Sequence, residues 1–91
     1  MIKRVGLKIY GRVQMVLYRD STRRQAKKLG LNGWVMNQSD GTVQIIAEGE
    51  EENLKKLIKW CYNGSILAKV EKIDIDWQDE TGRFDKFEIK Y

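Results

Sequence analysis

The chain has 91 residues, 42% of them apolar and 33% charged, which is the profile of one globular domain with no room for a second core. It contains no histidine and a single cysteine, Cys61; this excludes Ser–His and Cys–His nucleophilic machinery and any internal disulfide, and makes a zinc or copper site unexpected. Seventeen Lys and Arg against thirteen Asp and Glu leave a net charge of +4, a mixed solvated surface more than a nucleic-acid stripe.

No apolar run approaches the ~18 residues of a membrane span. The opening MIKRVGLKIYGRV is charged too early and too often to hold a signal-peptide apolar core. A cytoplasmic chain without a membrane partner is expected, and the lone cysteine fits a reducing compartment.

Val5, Leu7 and Ile9 alternate with Gly6, Lys8 and Tyr10 and continue to Val13, the period-two pattern of a half-buried strand. After Arg19, DSTRRQAKKLG reads as a helix. Asp20 or Ser21 is its expected cap, Thr22, Ala26 and Leu29 form its inner face, and Gly30 stops it. NGWVMNQSDGTVQIIAEGE reads as two strands joined at Asp40-Gly41. In the second of these Val43, Ile45 and Ala47 form the apolar face, opposite Gln44, Ile46 and Glu48. EEENLKKLIKWCYNG is a second helix with acidic residues at its start and a stripe of Leu54, Leu57, Ile58 and Cys61. On that stripe Cys61 is a small buried apolar residue. Ile73, Ile75 and Trp77 alternate in a fourth strand, and Phe87, Ile89 and Tyr91 mark a short fifth.

This order, βαββαβ with a short fifth strand, predicts an α+β ferredoxin-like fold over residues 1–91: an antiparallel sheet with two helices on one face. Such a fold hosts many functions, so the chemistry must come from a site. Two places offer one. Between Gln14 and Asp20 a strand runs into a helix without proline, so every residue from Met15 to Arg19 keeps a backbone N–H able to converge on an anion, with Arg19 at the helix entrance. Asn37 ends a strand just before the turn, where its amide can both donate and accept and so hold a water. Taken singly, a packed turn beside a surface arginine and a local turn asparagine are the simpler accounts.

Together the two stretches resemble the acylphosphatase family. Its first signature runs approximately Gly-x-Val-Gln-Gly-Val-x-Phe-Arg, against Gly11-Arg12-Val13-Gln14-Met15-Val16-Leu17-Tyr18-Arg19 here. Its second is matched by Gly33, Trp34, Val35, Asn37, Gly41, Val43 and Gly49. The resemblance implies metal-independent and cofactor-free hydrolysis of a small acyl phosphate to a carboxylate and inorganic phosphate. By the same resemblance Gln14, Met15, Val16, Leu17, Tyr18 and Arg19 hold the phosphoryl group, and Arg19 and Asn37 are catalytic, Asn37 positioning the attacking water. Size and the mixed surface lean toward a monomer, and no nucleic-acid partner is expected. The competing classes are a non-catalytic phosphate-binding relative and an RNA-binding domain, the latter disfavoured because TVQIIAEG lacks the aromatics that stack bases.

One residue departs from the signature. Met15 stands where the family has glycine, and three outcomes are open: strain at a positive φ, a reshaped loop, or an outward side chain with the cradle kept. The expectation is that anion binding persists and hydrolysis slows. Leu17 lies at a variable position and Tyr18 keeps the aromatic ring.

Overall fold

In a computed structural model describing residues 1–91, seven elements follow one another: β1 (Ile2–Arg12), α1 (Tyr18–Lys28), β2 (Asn32–Asn37), β3 (Val43–Glu50), α2 (Glu51–Asn63), β4 (Lys69–Gln78) and β5 (Phe87–Lys90). The sheet order is β4-β1-β3-β2-β5. β1 pairs antiparallel with β3 and β4, and β2 antiparallel with β3. These four strands form the antiparallel sheet expected from the sequence. β5 adds to it in parallel, Gly33 opposite Phe87 and Val35 opposite Ile89, so the complete sheet is mixed.

Alternation sets what lies between the layers. Val5, Leu7 and Ile9 of β1, Val35 of β2, and Val43, Ile45 and Ala47 of β3 are fully buried against Ala26 of α1 and Leu54, Leu57 and Cys61 of α2. Burial of this kind contributes about 1.5–3 kcal/mol for each large apolar side chain. Cys61 sits within this layer, and burial pushes its thiol up to about 12, which leaves it a packing residue.

Two features bend the chain toward one end of the sheet. β1 carries a bulge between Tyr10 and Gly11. Gly11 takes φ 125°, and a Cβ there would stand 2.2 Å from the carbonyl oxygen of Lys69, so only glycine lets the strands approach so closely. At the far end of α2, Gly64 (φ 61°) lies against the Tyr18 ring, 2.3 Å from where its own Cβ would stand. The Tyr18 hydroxyl donates to the Cys61 carbonyl at 2.7 Å, and its ring packs beside Trp60, centroids 5.8 Å apart. The start of α1 is thereby pinned to the end of α2.

The other face of the sheet is covered in part, which alternation alone did not predict. Glu48, expected on the solvent side of β3, is 6% exposed. Its carboxylate accepts from the Thr81 N–H (2.9 Å), the Thr81 hydroxyl (2.7 Å), the Gly82 N–H (3.0 Å) and Arg4 (3.4 Å). The segment between β4 and β5 is thus tied down over β3. Conversely β4 is an edge strand: Ile75 and Trp77 remain partly exposed.

Candidate active site

The loop after β1 alternates in a way that neither strand nor helix does. Val13, Val16 and Tyr18 point into the core, whereas Met15 is 98% and Leu17 70% exposed. Backbone geometry follows the same beat. Met15 has φ 58° and Leu17 φ 63°, the two non-glycine residues of the chain with positive φ, flanking Val16 at negative φ. Left-handed and right-handed residues in succession turn consecutive N–H groups toward one point, the geometry of a backbone anion nest.

None of the N–H groups from Met15 to Asp20 donates to a protein acceptor; the first helical bond runs from the Ser21 N–H to the Leu17 carbonyl at 3.0 Å. α1 therefore begins two residues before the expected Asp20, with Leu17 as its N-cap and no side-chain cap. Asp20 lies in the first turn and pairs with Arg24 one turn on. A capping carboxylate would have occupied the donors that this start leaves free.

Met15 thus realises two of the three outcomes open in the sequence: φ is positive and the side chain projects outward. Strain of about 1–3 kcal/mol attends each such non-glycine residue. Leu17 shares that strain, which its variable position in the signature did not reveal. Firm anchors hold the loop in place. The Ser65 hydroxyl donates to the Val16 carbonyl. The Gln14 amide donates to the carbonyls of Gln38 (2.7 Å) and Thr42 (2.9 Å), so its side chain is engaged in tying the loop to the β2–β3 turn. That turn is braced in its own right: Asp40 accepts from the Thr42 hydroxyl (2.6 Å) and N–H (3.0 Å) and faces Lys8 at 3.0 Å, and these bonds hold its carboxyl down at about 2.

A cavity of about 410 Å³ opens beside the loop, and its lining includes Met15, Leu17, Arg19, Asn37, Ile89 and Tyr91. Of the residues singled out in the sequence, the fold brings Met15, Leu17, Tyr18, Arg19 and Asn37 to this cavity, while the side chains of Gln14 and Val16 serve the loop from behind. Arg19, in the first turn of α1, lies over the Tyr91 ring with its guanidinium carbon 4.8 Å from the centroid. It also reaches the Lys90 carbonyl at 3.5 Å. Tyr91 was not among the expected site residues. The signal was present, because Phe87, Ile89 and Tyr91 alternate onto the helix side of β5, next to α1. Asn37, the last residue of β2, has a buried Oδ1 with no hydrogen-bond partner in the protein. A buried acceptor left unpaired costs about 1–3 kcal/mol, while Asn37 as a residue is half-buried and lines the cavity.

The architecture defines a ferredoxin-like domain with a donor-lined cavity that contains no histidine. A sequence model of the acylphosphatase family matches residues 5–89. Proteins named acylphosphatase from Pelotomaculum thermopropionicum and Salinibacter ruber are 42% and 44% identical to the chain over 88 residues, 97% of this chain and 96% and 93% of theirs. The crystal structure of acylphosphatase from Bacillus subtilis superposes with a TM-score of 0.95 at 35% identity, each chain covered in full. The chain belongs to the acylphosphatase family.

Proposed function

We propose that the chain is an acylphosphatase whose phosphoryl-binding site is the loop from Met15 to Arg19 and whose attacking water is held by Asn37. The observation that carries this is the meeting, in one cavity, of unpaired loop N–H groups, Arg19 and the Asn37 side chain.

The phosphoryl oxygens accept from the loop N–H groups and from Arg19, helped by the α1 dipole. A water hydrogen-bonds to the Asn37 side-chain amide, which turns its lone pair toward phosphorus. As the oxygen–phosphorus bond forms, the bond from phosphorus to the acyl oxygen breaks. The carboxylate departs with the electron pair, and the water's proton passes to a phosphoryl oxygen, giving inorganic phosphate. A carboxylate leaving group needs little protonation, so the absence of histidine is no obstacle. Positioning and charge stabilisation, the dominant contributions in phosphoryl transfer, are what this site supplies. No step requires a metal or cofactor. The mixed surface charge and the single, buried, unpaired cysteine support action as a monomer in a reducing, cytoplasmic compartment.

Steady-state hydrolysis of benzoyl phosphate, with inorganic phosphate as competitor, tests the proposal. Turnover with competitive inhibition by phosphate is expected. Phosphate binding without turnover would make the chain a non-catalytic relative.

A further inference from the structure

We infer that the exposed side chains of Met15 and Leu17 form an apolar lip that binds the acyl part of the substrate, so that this protein prefers acyl phosphates with extended hydrocarbon chains over acetyl phosphate. The inference rests on the acyl phosphate reading above and deepens it. Both residues occupy positive-φ positions, where glycine would be free of strain. Both are exposed, Met15 almost completely, so neither offsets its strain by packing in the core. Strain kept at a site without a packing return points to use by a ligand.

The direction of the reaction says which ligand. Asn37 is half-buried and Met15 is almost fully exposed, and both residues line the same cavity. Asn37 therefore lies at its floor and Met15 at its mouth. A water held at the floor attacks phosphorus with the leaving group opposite, so the acyl group points out through the mouth. There it meets Met15 and Leu17 on one side, with Ile89 and Tyr91 also lining the cavity. Methionine is unbranched and polarizable, suited to contact with hydrocarbon of varied shape. The lip is open to solvent, so only part of each chain is desolvated, yet each fully buried methylene contributes about fourfold in binding. A preference of about tenfold for an eight-carbon chain follows.

The test compares kcat/KM of the wild-type protein for acetyl and octanoyl phosphate, then repeats the comparison in Met15→Gln and Leu17→Asn, polar residues of similar reach or backbone tolerance. Octanoyl phosphate is expected to be favoured about tenfold, with the ratio falling toward one when both substitutions are combined. Equal values for the two substrates in the wild type, or a ratio that the substitutions leave in place, would overturn the inference while acetyl phosphate hydrolysis kept the enzymatic reading intact. Hydrolysis of neither substrate would overturn both. Binding of octylphosphonate against methylphosphonate by the wild-type protein gives the same comparison without any variant: about tenfold tighter binding of the longer chain is expected, and equal binding overturns the inference.

Discussion

Arg19 is held by a ring and a carbonyl, without a carboxylate partner among its contacts, so its charge remains free to meet an anion. Replacing it by glutamine is expected to lower kcat/KM for benzoyl phosphate by about 10²–10³, the effect of losing one well-aimed donor at a developing charge. Because the side chain packs at the surface, thermal unfolding should change little. Met15 makes the opposite kind of prediction. Its left-handed backbone is strained and its side chain makes no core contact, so Met15→Gly should raise stability by about 0.5–1 kcal/mol, the relief of strain less the entropy that glycine adds to the unfolded chain. Chemical denaturation measures it. Met15 was legible as an anomaly because a signature position demanded glycine. Leu17 was not, since nothing in its side chain reports the sign of φ. The start of α1 was misplaced for a related reason: Asp20 and Ser21 are good caps, and a helix that leaves its first donors uncapped contradicts local preference in favour of the site.

At the level of elements, periodicity located all five strands and both helices, but it described one face of β3 only. Glu48 looked solvent-facing because Val43, Ile45 and Ala47 took the apolar side. Its burial depends on where the segment from Asp79 to Lys86 lies, a tertiary fact with no period. Burial alone would raise the Glu48 carboxyl, but the hydrogen bonds from Thr81, Gly82 and Arg4 outweigh it and hold the group below its ordinary value. A carboxyl depressed in the folded state stabilises above its unfolded pKa, and that stabilisation is lost as pH falls through the folded value. Glu48→Gln should therefore cost about 1.5–3 kcal/mol at neutral pH, by loss of charge-assisted hydrogen bonds. The gap from wild type should close as pH drops below the ordinary glutamate range. Urea denaturation at pH 7 and in acid measures both. The parallel pairing of β5 was likewise out of reach, because Phe87, Ile89 and Tyr91 fix which face is apolar and not which neighbour is chosen. That pairing leads the chain to Tyr91, whose ring lies beside the Arg19 guanidinium.

Taken whole, the fold gathers the end of β1, the start of α1, the end of β2 and the residue after β5 at one end of a two-layer domain. The donor set found there contains arginine, asparagine and backbone, and no group of three or more His, Cys, Asp or Glu residues comes together anywhere in the chain. Activity should accordingly survive prolonged treatment with EDTA without loss of kcat, read in the same benzoyl phosphate assay. Tyr10 of β1 and Trp34 of β2 lie on the outer sheet face, with Lys8 and Lys72 over the Tyr10 ring at 5.5 and 4.4 Å. Trp34 has Lys90 over its ring at 4.9 Å, and β3 carries no aromatic residue. The sequence alone yielded Arg19 and Asn37 as candidates through paired signatures; what it could not yield was their shared cavity.

The division of labour between Arg19 and Asn37 is the central claim, and one comparison tests it most directly: kcat for benzoyl phosphate and the inhibition constant of inorganic phosphate, measured together in Asn37→Ala. If Asn37 holds the water and the loop with Arg19 holds the phosphoryl group, kcat falls by about 10² or more while phosphate inhibits as strongly as in the wild type. An Asn37→Ala protein that turns over at the wild-type rate, or one that loses phosphate binding in step with activity, would contradict the account.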